Sequence, residues 1–123
     1  MSLTLTLDVW DPTGTNNPEV TVTNRNTGAA VTDATVTVTI RRDDGTDAGA
    51  ALAGALASAL SLTHQGSGVY SVAVTQAQSA AAGITLAAGG RLLLDYRAVA
   101  SGLPEQAEPI RQVCRVGRKR DAT

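Results

Sequence analysis

One histidine and one cysteine are the only side chains of their kind, so acid–base or nucleophilic chemistry would run through them or through the carboxylates. His64 stands beside Gln65 at the end of a predicted strand. Nothing in the local sequence arranges a serine or cysteine as its nucleophile, and a metal would need further ligands beside it. Cys114 alternates with apolar neighbours on a predicted last strand, the pattern of a small buried hydrophobe, and a lone cysteine forms no internal disulfide. Acidic residues gather at Asp8, Asp11 and Glu19 and again at Asp43, Asp44 and Asp47, where they could offer oxygen ligands to calcium. Neither cluster has the D-x-[DN]-x-[DN]-G spacing of a calcium loop, and Asp and Asn also cap their own turns. The glycine-rich run 83–90 lacks the lysine and following helix of a phosphate-binding loop. These residues predict neither an enzyme, nor a cofactor, nor a metal site.

The charge feature is different. Up to Asp47 there are seven acidic residues against three arginines, whereas from Arg111 onward five basic residues face one acidic residue, Asp121. Arg111, Arg115, Arg118, Lys119 and Arg120 are therefore the candidate partner-binding residues. Arg111 and Arg115 lie at odd offsets from Cys114 and point away from its face. This basic end suits an acidic surface on a neighbouring copy or a different protein, or plain solvation. DNA phosphates are the less favoured partner, because the formal charge of the whole chain is only -1.

The elements that would position these residues read as strands. From Ala34 to Ile40 the chain alternates without a break, with Ala34, Val36, Val38 and Ile40 on one side and Thr35, Thr37 and Thr39 on the other. Leu3, Leu5, Leu7 and Val9 alternate with Thr4, Thr6, Asp8 and Trp10, predicting a first strand that turns its leucines inward. The segment 11–18 is a loop, and Val20 and Val22 face inward on a strand from Glu19 to Asn24. Residues 48–59 read as an extended or irregular connection, since Gly49 and Gly54 each weaken a helix by about 1 kcal/mol relative to alanine. Leu60 and Leu62, a turn at 65–68, and Tyr70, Val72 and Val74 make a hairpin. A short helical turn is expected near Gln78 to Ala82. Arg91 to Ala100 places Leu92, Leu94 and Tyr96 inward, and a last strand spans Pro109 to Val116.

About seven strands with turns between them predict an all-β fold, an antiparallel two-sheet sandwich, with a small closed barrel as the alternative. One domain is expected over 1–117, followed by a basic, flexible tail at 118–123. There is no Phe, one Trp and two Tyr, so aliphatic residues must build the core and aromatic anchors for a ligand are scarce. No window holds the roughly 18 apolar residues of a membrane helix. The start, MSLTLTLDVW, alternates where a secretory signal would run apolar, which points to synthesis in the cytoplasm.

The order T-G-x-x-V-x-x-A-T-V-x-V-T-I, then G-V-Y-x-V-x-V, then L-x-L-D-Y resembles bacterial immunoglobulin-like domains of the invasin type. It is closer still to the small stand-alone Ig-like structural proteins of tailed bacteriophages. The matching residues are Thr27, Gly28, Val31, Ala34, Val36, Val38 and Ile40, then Gly68, Tyr70, Val72 and Val74, then Leu92, Leu94 and Tyr96. The resemblance implies an Ig-like sandwich and a virion component, in head decoration, neck or tail. Its partners would be capsid, portal or tail subunits and further copies of itself, without a membrane. Neither repeats nor a signal appear, which favours the phage reading over a secreted adhesion module. A DNA-contacting assembly factor is the remaining alternative. Assembly would use sheet edges, with 1–9 and 105–116 as candidates for strand exchange.

Overall fold

The computed structural model describes residues 2–5, 9–100 and 109–118. In chain order the strands are β1 (Ser2–Leu5), β2 (Val9–Trp10), β3 (Glu19–Thr23), β4 (Thr35–Arg42), β5 (Ala50–Ala51), β6 (Leu60–Gly66), β7 (Val69–Ser71), β8 (Arg91–Val99) and β9 (Pro109–Val116). One short helix, α1 (Gln76–Ala81), lies between β7 and β8. The fold is all-β: the strands form one curled, mixed sheet in the order β1-β3-β7-β6-β4-β8-β9-β2, with β5 added beside β4.

Curling depends on β6. Its first half pairs with β4, Val36 opposite Leu62 and Val38 opposite Leu60, while its second half pairs with β7, Thr63 opposite Ser71. One strand thereby belongs to both halves of the sheet, and the inner faces close on a common core. The alternating residues fill it as their spacing requires: Val20, Val22, Val38, Leu92, Leu94 and Tyr96 are each fully buried. Burying one such aliphatic side chain is worth roughly 1.5–3 kcal/mol.

The structure differs from the sequence expectation in several places. The first predicted strand is split: β1 pairs antiparallel with β3, and β2 pairs in parallel with β9. With that change of partner the inward phase changes too. Trp10, expected on the outer face, is fully buried, and its Nε1 donates to Ser79 Oγ on α1 at 3.2 Å. A large indole fills more core volume than the half-buried Val9 could, and Ser79 supplies the acceptor it needs. The parallel pair makes the sheet mixed, where an antiparallel arrangement was expected. The connection over 48–59 is extended and then irregular, as β5 is followed by a 3₁₀ turn at Gly54–Ala57, and it buries Leu52 and Leu56. Leu93, on the outward side of β8, is covered as well, because the backbone at Gly49 passes close to its Cδ1.

Two local devices fix the ends of the hairpins. α1 starts with a reciprocal cap: Gln78 N donates to Thr75 Oγ1 at 3.2 Å, and Thr75 N donates to Gln78 Oε1 at 2.9 Å. At the β6–β7 turn Gly68 has φ +79°, and a Cβ there would stand 2.7 Å from Val22 O, so only glycine fits.

Candidate functional site

The outward face of β4, β8 and β9 carries two of the five predicted basic residues, Arg111 and Arg115. Direct pairing sets its rows. Thr37 lies opposite Arg97 and Arg97 opposite Pro109; Thr39 opposite Asp95 and Asp95 opposite Arg111; Arg41 opposite Leu93 and Leu93 opposite Val113; and Arg91 opposite Arg115. Alternation does this work: on strands of period two, every second residue faces out, and Arg41, Arg91, Arg97, Arg111 and Arg115 hold the odd positions. Val113 is 49% exposed and Val99, on the same face of β8, is 38% exposed.

Arg111 is engaged within the molecule. Its Nε donates to Asp95 Oδ1 at 2.7 Å and its Nη2 to Asp95 Oδ2 at 3.1 Å, a two-pronged pair, while Nη1 donates to the Asp47 carbonyl at 2.7 Å. The Asp95 carboxylate holds the guanidinium's pKa above its ordinary value. Arg111 thus ties the 43–49 turn to the sheet, and it is a clamp before it is a docking residue. Arg91 reaches Asp43 at 3.5 Å with most of its side chain in solvent.

Arg115 and Arg97 have no carboxylate partner among the described residues. The Arg115 guanidinium folds back over Gly117, where a Cβ would collide with it, and sits on the strand directly opposite Arg91. Like charges placed opposite one another weaken a strand pair. Arg118 is exposed just beyond β9, and Lys119 and Arg120 lie outside the described residues. Of the candidates, Arg115 is therefore brought to one end of the face together with Arg91, a residue that sequence reasoning did not select. The outward placement of Arg97 and Asp95 was visible in the strand alternation. The pairing of Arg91 with Arg115 was not, because register is a tertiary property.

The other chemical candidates serve the fold. His64 Nε2 accepts from Gly68 N at 3.1 Å and the ring leans on Tyr70, with centroids 4.9 Å apart. Cys114 is fully buried. Asp11 Oδ1 accepts from Thr13 N at 2.9 Å, Asp43 Oδ1 from Gly45 N at 3.1 Å, and Asp44 Oδ1 from Thr46 N at 2.9 Å, each closing its own turn. The Thr46 hydroxyl, with its amide, lowers the Asp44 pKa. Among the described residues no three His, Cys, Asp or Glu side chains converge as a metal site. No helix of the described residues is long and apolar enough to cross a membrane.

No known protein family matches the chain, and no curated protein matches it. What the molecule does has to be argued from this face and from the edges of the sheet.

Proposed function

We propose that the chain is a non-enzymatic structural component of a tailed-phage virion, in head decoration, neck or tail, that works by packing against neighbouring subunits. The observation that carries the packing role is the β4–β8–β9 face. It is a strand surface bearing Arg91, Arg97 and Arg115, two exposed valines and a row of threonines, which suits a protein surface of acidic and apolar character. Asp95 stands in the middle of that face with a carboxylate where DNA would bring phosphates, which favours a protein partner over nucleic acid.

Strand order supports an Ig-like sandwich within this reading. β1, β3, β7 and the end of β6 pair as one group, and β4, β8, β9 and β2 as another, with the first segment of the chain divided between the two groups. Sandwiches of this type group their strands in that way. The particle assignment itself rests on the sequence resemblance.

Mass spectrometry of density-gradient-purified phage particles from the source tests the assignment, with this chain quantified against the major capsid protein. A fixed ratio is expected. A ratio near that of the shell subunit indicates decoration, and a far lower one indicates a neck or tail ring. Absence from the particles overturns the assignment.

A further inference from the structure

The sheet ends at β1, whose outer edge meets no strand among the described residues. An open edge presents unpaired N–H and C=O groups that another strand can take up, and sheets ordinarily blunt such edges with charge, proline, bulges or shortness. The other edges here are blunted: the far side of β9, which β2 covers only at Arg115 and Val116, opens with Pro109 and carries the charged Arg111. The second half of β6 has its register broken between His64 and Gly66, and Gln65 Nε2 folds back onto the Thr63 carbonyl at 3.2 Å. β2 and β5 are two residues long each. β1 has no proline, no charged side chain and no register shift along its pairing with β3. Leu3 and Leu5 pack on the core yet remain only half-buried, and Thr4 between them is exposed.

We propose that β1 is a self-association strand, pairing antiparallel with β1 of a second copy about a two-fold axis. The pattern Leu3-Thr4-Leu5 is its own complement. With Thr4 opposite Thr4 of the second copy, Leu3 falls opposite Leu5, so the leucines of both copies continue one apolar face and the threonines the other. A slip of one residue would set leucine against threonine faces, which excludes that register. Threonines directly opposite one another form a favourable cross-strand pair. The two curled sheets then join into one, and the half-buried leucines gain cover. This inference refines the packing role proposed above by naming one of its contacts, and the two can fail separately.

The test is light scattering of the full chain across a dilution series. Wild-type protein is expected to show twice the monomer mass and to dissociate on dilution. Thr4→Lys puts like charges opposite each other at the axis and should weaken association about tenfold or more. Circular dichroism checks that this exposed substitution leaves the fold in place. Thr4→Cys should form a disulfide-linked dimer on mild oxidation, reversed by reductant, since the buried Cys114 is shielded. A wild-type chain that stays monomeric throughout, or a dimer that Thr4→Lys leaves unchanged, overturns the proposal. So does a Thr4→Cys chain that cross-links only to a different particle protein. If the chain dimerises but is absent from particles, the virion assignment alone fails. If it is present in particles but monomeric in solution and unlinked at Thr4→Cys, self-pairing alone fails.

Discussion

Tyr70→Phe removes a single oxygen and should cost the protein more than most surface changes together. The Tyr70 hydroxyl donates to Val31 O at 2.8 Å and accepts from Ala34 N at 3.0 Å, so one atom ties the chain before β4 to β7. Val31 is buried at 6% exposure, and its carbonyl would be left without a partner where water does not reach. Leaving a buried acceptor unmade costs about 1–3 kcal/mol, and the half-buried Ala34 amide adds about 1 kcal/mol because water can partly replace the hydroxyl. The expected loss is therefore about 2–4 kcal/mol, which for a chain of this length lowers the melting temperature by roughly 10 °C. Urea melts of the two proteins give the free energy, and amide hydrogen exchange gives the location. The Ala34 amide should lose protection in the variant by more than global destabilisation explains. A loss below about 0.5 kcal/mol with Ala34 protection unchanged would refute the assignment of that hydroxyl as a structural tie.

Other perturbations follow from the same geometry. Gly68→Ala places a Cβ 2.7 Å from Val22 O at φ +79° and should destabilise by about 2 kcal/mol or more in urea melts, since backbone, not a flexible side chain, must move. Ser79→Ala leaves the buried Trp10 N–H without its acceptor, and a loss of about 1–3 kcal/mol is expected, with altered tryptophan fluorescence. Burial, reinforced by the neighbouring Cys114 thiol, raises the Tyr96 pKa far above its usual value. The folded state then holds the phenolic proton more tightly than the unfolded state. Its stabilisation is complete below about pH 10 and falls as pH rises beyond it, by at most about 1.4 kcal/mol per pH unit. Tyr96→Phe should flatten that alkaline decline in thermal melts, and an unchanged slope would assign it to another group. Arg111→Ala frees Asp95 and the 43–49 turn, so faster amide exchange in that turn and weaker salt dependence of stability are expected, with the fold retained.

Much of the architecture is legible in residue order because side-chain direction on a strand is strictly periodic. Val20 and Val22, Val36 to Ile40, and Leu92 to Tyr96 could be assigned inward without knowing what they pack on, and the Thr75–Gln78 cap needs only local spacing. Glycines at 66 and 68 with a polar pair mark the β6–β7 turn for the same local reason. The basic candidates were half legible. Arg115 and Arg118 stand out as a charge run, but Arg91 and Arg97 belong to the face of Arg115 only through pairing of strands that are far apart in sequence.

The sequence by itself determined the strands, their inward faces and the turns that separate them, since each depends on a few neighbouring residues. The tertiary structure decided what depends on partners. It split the first predicted strand between β3 and β9 and turned Trp10 into the core. It paired one side of β9 with β8 over Pro109–Arg115 and the other with β2 only at Arg115 and Val116, so that one side of the segment expected to exchange strands is already taken. It engaged Arg111 with Asp95 and left the outer side of β1 without a strand partner among the described residues. Register and strand order come from long-range burial shared among many residues, and no short stretch of sequence encodes that sum.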